Sequence, residues 1–221
     1  MRSSDSRWTI AAWLLVVASP ACGGTRTAVE MPLSPVGVSI AELEALYRAR
    51  SDSTRMYFTE ADVRFMTGMI IHHAQALQMA GLAPTHGVGP SVRTLTARTI
   101  NAQRDEITAM QQWLRDRGQL VPEVPAGGVD PTVGVPDDEM LMPGMLTSQQ
   151  MGELDAARGP DFDRLFLTFM IQHHGGAVTM VHDLFATDGA ALDEVVFKIA
   201  SDIQADQTTE IARMERMLEG Y

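Results

Sequence analysis

One cysteine, three tyrosines and three tryptophans are all that 221 residues offer of those side chains. A single thiol cannot close an intrachain disulfide, so whatever folds here is held by its core and not by crosslinks. Long apolar runs are scarce as well. The stretch Trp8–Ala18 falls well short of the ~20 residues that a bilayer span needs. Basic excess is missing too: 17 Lys and Arg against 28 Asp and Glu leave a formal charge of −11. That balance argues against nucleic acid and anionic lipid headgroups as partners. No segment sustains the polar–apolar alternation of a strand. Nor does Glu-x-x-His occur, and with it goes the usual ligand pattern of carboxylate-bridged metal pairs in helical bundles.

Methionine, by contrast, is plentiful at fifteen residues, part of it adaptable core filler. At the N-terminus Arg2 and Arg7 precede the apolar run, and small residues Ala18, Ser19 and Ala21 lead to Cys22 and Gly23-Gly24. That order is the pattern of a secretory signal, placed at residues 1–21. A cysteine directly after small residues resembles the lipobox of bacterial lipoproteins, which makes Cys22 the expected lipidation site. Pro20 departs from the usual lipobox, and cleavage near Ala21 with a free thiol is the alternative. The expected location is therefore outside the cytoplasm of a bacterium, periplasmic or anchored as a lipoprotein, touching membrane only through that lipid. Loss of the signal, with Arg2 and Arg7 against Asp5, takes the charge to −12. Residues 22–38 read as a flexible tether and Ser39–Ala49 as a short amphipathic helix.

The rest of the chain uses one unit twice. Met69-Ile-Ile-His72-His73-Ala-Gln-Ala-Leu-Gln-Met79 matches Met170-Ile-Gln-His173-His174-Gly-Gly-Ala-Val-Thr-Met180, and Asp62-x-x-Phe65 matches Asp163-x-x-Phe166 at the same spacing. Further on, Gln103-x-x-Glu106-Ile107-x-x-Met110 matches Gln207-x-x-Glu210-Ile211-x-x-Met214, three residues out of step, with the slip falling in loops. Apolar residues recur at three- and four-residue spacing, so each unit predicts a helical hairpin. The first is expected from Thr59 to Ala83 and from Ser91 to Arg117, the second from Pro160 to Thr187 and from Ala190 to Glu219. Within a bundle spanning 39–221, repeat one covers 59–118, a long crossover 119–159, and repeat two 160–219. The crossover holds five prolines and four glycines between Val121 and Gly144, then a short helical piece around Thr147–Arg158. The expected architecture is an all-α four-helix bundle of two repeated hairpins with pseudo-twofold symmetry.

Four of the six histidines lie in the repeats, each pair bracketed by methionines. Imidazole nitrogen and thioether sulfur are soft, uncharged ligands suited to Cu(I) and poor for magnesium or calcium. On a helix Met69 and His73 are neighbours, with Met66 one turn before, His72 on an adjoining strip and Met79 further along. Met170, His174, His173 and Met180 repeat that arrangement. Adjacent histidines point about 100° apart, so each of a pair is expected to serve a different cluster. Met110 and Met214 are the natural donors from the second helix of each hairpin. Glu106 and Glu210 could accept the other ring proton of a histidine and fix its tautomer. His86 and His182, without repeat partners, are expected in solvent. Gly175-Gly176 would let a neighbouring backbone approach. The Met140-x-Met142-x-x-Met145 run reads equally as a methionine motif or a packed linker.

The repeated Asp-x-x-Phe-x-x-x-Met-Ile-x-His-His, the Gln-x-x-Glu-Ile-x-x-Met pattern and Pro143-Gly144-Met145 together resemble the DUF305 family, over about Thr59 to Leu218. The resemblance implies a ferritin-like four-helix bundle and, as for some members, an exported copper-binding protein linked to copper resistance. Carried over, it implies copper ligands among Met66, Met69, His72, His73, Met79, Met110, Met145, Met170, His173, His174, Met180 and Met214. Sequestration, transfer or tolerance of Cu(I), without catalysis, is the expected role. A structural or partner-binding bundle whose histidines form a buried polar network is the alternative. A di-metal oxidoreductase is disfavoured, because Glu106 and Glu210 alone supply too few carboxylates.

Overall fold

Capping residues set the helix starts. In the computed structural model, which describes residues 39–46, 57–124 and 142–221, α1 runs over residues 40–46 and α2 over Glu60–Gly81. Thr59 caps α2, taking Asp62 N–H on its hydroxyl while the Asp62 carboxylate takes the Thr59 N–H at 2.7 Å. A short 3-10 turn at Ala83–Thr85 leads to α3, Pro90–Asp116, whose proline sits at its first turn. At its end Gly118, at φ +63°, donates to Arg115 O and Gln119 donates to Leu114 O, a Schellman closure. Thr147 and Gln150 form a second capping box on α4, Ser148–Ala156. Helix α5 spans Gly159–Phe185, and α6, capped by Asp193 through Val195 N–H and Val196 N–H, spans Glu194–Leu218.

Among the described residues all regular structure is helical, as expected. Residues 40–221 make one compact unit in which α2 packs on α3 and α5 on α6, and the hairpins meet mainly through α2 and α5. Helix ends fall within a few residues of the sequence expectation. The largest shift is at α6, because residues 190–193 are a turn that ends in a capping aspartate. The signal at 1–21, Cys22, the 22–38 tether, Met140 and most of the crossover lie outside the described residues. So does the part of the expected Ser39–Ala49 helix beyond residue 46.

The core has two apolar ends. Phe65, Met66, Met69, Ile107, Met110, Trp113 and Val181 gather at one, and Met79, Val92, Leu95, Phe162, Phe166, Met170 and Met214 at the other. Repeat-related residues fall at opposite ends, the signature of a pseudo-twofold relation. Each hairpin also holds the other's turn: Asp62 accepts from Ala191 N–H at 2.7 Å, and its repeat partner Asp163 accepts from Gly89 N–H at 3.0 Å. Asp163 additionally takes the Tyr221 hydroxyl, and burial with that bond pushes the phenol up to about 12. A buried ion pair between Arg117 and Asp193 ties α3 to the start of α6, with the guanidinium over the Trp113 ring.

One expectation fails here. His86 is buried, not solvated, because α4 covers it: its Nε2–H donates to Asp155 O at 3.0 Å while Thr85 Oγ1 donates to its Nδ1. His182 is exposed as expected.

Candidate metal centre

Midway along α2 and α5, between the apolar ends, lies a polar layer. His72, His73, His173 and His174 all have zero solvent exposure. His72 and His173 stack on each other, ring centroids 3.9 Å apart and planes tilted 38°. Their neighbours turn outward to the second helix of each hairpin. His73 Nε2–H donates to Glu106 Oε2 at 2.6 Å, and His174 Nε2–H to Glu210 Oε2 at 2.7 Å. Adjacent histidines therefore do serve different surroundings, and both glutamates meet the rings, the role the sequence offered beside that of ordinary solvated charges.

The crossover closes the remaining side. His72 Nε2–H donates to Pro143 O at 3.0 Å, while Gln75 clamps Leu146 through Nε2–H to its carbonyl and Oε1 to its N–H. This close passage depends on Gly176, where a Cβ would stand 1.8 Å from Pro143 O. Gly144 at φ +76° faces it. Gly175, which the sequence offered alongside, meets nothing.

Burial, reinforced by the neighbouring His73, holds His72 down to about 3. His173 is held well below its ordinary value by burial and then by His72. Both rings are accordingly neutral at any physiological pH. Since a carbonyl can only accept, His72 carries its proton on Nε2 and leaves Nδ1 as a bare lone pair. His73 and His174 likewise turn Nε2–H to an acceptor, the carboxylates of Glu106 and Glu210, with Nδ1 on the opposite side of the ring. All four Nδ1 atoms are buried without a hydrogen-bond partner, and so is His173 Nε2. Each such atom costs about 1–3 kcal/mol. Gln103 and Gln207, repeat partners, also carry buried unpaired oxygens. The sequence singled them out only as markers of the repeat. Asp206 lies close enough to Glu106 and Glu210 that burial and then their charges raise its pKa.

The twelve sequence-predicted ligands are not brought to one point. The four histidines share the layer. Met66, Met69 and Met110 pack in one apolar end with Met180 against it, and Met79, Met170 and Met214 in the other. Met145 is buried on the crossover, beside Leu146. Among the described residues no three His, Cys, Asp or Glu side chains gather as a ready metal cage. The donor set present is neutral imidazole nitrogen with neutral thioether sulfur nearby in sequence on the same helices, which fits a soft cation and not a hard one.

The family model described as a domain of unknown function, DUF305, matches residues 62–218. A DUF305 fragment from Deinococcus radiodurans is 28% identical, with a TM-score of 0.61, covering 74% of this chain and 99% of its own. A DUF305 protein from Streptomyces coelicolor, provisionally described as secreted, is 26% identical at 0.61, covering 72% and 93%. CopM in its Cu(I)-bound form is 26% identical at 0.54, covering 72% and 96%. CopM has also been solved with Cu(II) and with silver. No curated protein matches the chain. With the match extending from the capping aspartate of α2 to the last residue of α6, the chain belongs to the DUF305 family.

Proposed function

We propose that the chain is an exported protein that binds soft monovalent copper, Cu(I), in its histidine layer and holds or passes on the ion without catalysing a reaction. The observation that carries this reading is the set of four buried imidazole Nδ1 atoms with no partner. Leaving them unmatched is costly, and a soft cation would satisfy them while methionines of the adjoining turns supply sulfur. His72, His73, His173 and His174 are the nitrogen donors in this reading. Met69 and Met170, one turn away on the same faces, are the first sulfur donors, with Met66, Met79, Met110, Met145 and Met214 behind them. Glu106 and Glu210 fix the tautomers of His73 and His174. CopM's copper- and silver-bound forms support the choice of metal. Among the described residues no helix is long and apolar enough to cross a membrane, and attachment through a lipid on Cys22 belongs to the same proposal.

A second reading rests on the absence of a ready cage among the described residues. The histidines then form a polar layer that fixes the register of the hairpins, and the methionines are packing. Titration with Cu(I) against a competing chelator decides between the two. Tight binding that falls at least tenfold when His72, His73, His173 and His174 become alanine supports the metal reading. Unchanged affinity in the folded variant sinks it. In the unaltered protein, histidine nitrogen resonances that ignore Cu(I) would sink it equally.

A further inference from the structure

The pseudo-symmetry breaks at one place in repeat one. Gly68 occupies the position that Phe169 fills in repeat two. Phe169 is nearly buried and belongs to the same apolar cluster as the fully buried Met79. Met180, the repeat partner of Met79, has no such cover. It lies half-buried on a pocket of about 250 Å³ that opens to solvent and is lined by Gly68, Phe65, Arg64, Met142 and Asp183 among others. Two thioethers converge on the notch left by Gly68. A Cβ placed there would meet Met142 Sδ at 3.1 Å and the Met180 methyl at 3.4 Å.

From these observations we infer a second soft-cation site at the surface, formed by the sulfurs of Met142 and Met180 over Gly68, which takes up the ion before it reaches the histidine layer. The inference rests on the metal reading above for its direction of transfer, but the site stands on its own donors. Two neutral sulfurs on long, adaptable side chains are a donor set that selects monovalent soft ions over hard divalent ones. Arg64 and Asp183 on the pocket wall carry opposite charges, so selection of the ion rests on the sulfurs. Every histidine of the layer has zero exposure, so an incoming ion needs accessible donors next to it. This pair supplies them. His72 follows Gly68 by four residues on the same face of α2, and Met142 directly precedes the residue whose carbonyl holds the His72 ring. An ion leaving the two sulfurs therefore has one helical turn to travel.

The test uses the full chain with isotope-labelled methionine methyls and Ag(I), a diamagnetic stand-in for Cu(I). The Met142 and Met180 resonances, assigned by Met142→Leu and Met180→Leu, are expected to shift together on adding substoichiometric Ag(I). The shift should persist when His72, His73, His173 and His174 are all replaced by leucine. Loss of Ag(I) uptake rate in Met142→Leu/Met180→Leu, by tenfold or more with equilibrium affinity of the histidine layer retained, is the kinetic counterpart. Leucine keeps the volume of methionine, so folding is preserved. If neither resonance moves, or only one does, while other methionine methyls respond, the surface site is wrong and the layer stands. If both move but the histidine variant binds Ag(I) as tightly as the unaltered protein, the surface site stands and the layer reading fails.

Discussion

Acidifying the metal-free protein should weaken it through two residues alone. In the unfolded chain a histidine titrates near 6.5, whereas folded His72 stays neutral down to about 3, and burial also holds His173 well below its ordinary value. Below about pH 6.5 the unfolded state therefore binds protons that the native state refuses, and stability falls with falling pH. Above that pH neither ring contributes a slope. Well below it a ring that stays neutral costs about 1.4 kcal/mol per pH unit, so going from about pH 7.5 to about pH 5 removes about 2 kcal/mol through His72, and His173 adds to the loss in the same direction. That is a large share of a typical ~5–15 kcal/mol total. The assay is urea unfolding followed by helical circular dichroism across this pH range, with linear extrapolation at each pH. The same series on His72→Leu/His173→Leu is the control and should lose most of the slope. A flat profile in the unaltered protein, or an equal slope in the double variant, would refute the picture of two buried neutral imidazoles.

Gly176→Ala drives a methyl into Pro143 O and should destabilise by about 2–4 kcal/mol, while Gly175→Ala, facing open space, should be neutral or stabilising by up to about 1 kcal/mol; thermal unfolding of the two variants compares them directly. Asp193→Ala strands the buried Arg117 guanidinium and uncaps α6, so a loss of about 3–5 kcal/mol is expected in denaturant unfolding. Met69→Leu/Met170→Leu should change stability by under about 1.5 kcal/mol yet weaken Cu(I) binding at least tenfold in chelator competition, since volume is kept and sulfur is lost.

What the sequence could tell and what it could not divide along sequence distance. Periodicity and breakers located the helices because Thr59, Pro90, Gly118 and Thr147 act on their own neighbours. The offset shared by the two His-His pairs marked them as equivalent positions of the repeat, and spacing along the helix aimed neighbours apart. It could not say that His72 and His173 would stack, since that depends on how α2 crosses α5. His86 was misjudged for the same reason: its partner Asp155 lies sixty-nine residues away. The Gly68–Phe169 mismatch was visible in the aligned repeats, but only the pocket beside it gives the difference a meaning.

The exchanged aspartates carry a consequence for the chain as a covalent object. A cut inside the crossover would leave each half with a carboxylate whose amide partner has departed and a turn whose acceptor has departed with it. Because the halves are built alike, the nearest remedy for either is another molecule of itself, seated where its sibling used to be. Severed repeats should therefore self-associate in pairs before they survive as lone hairpins.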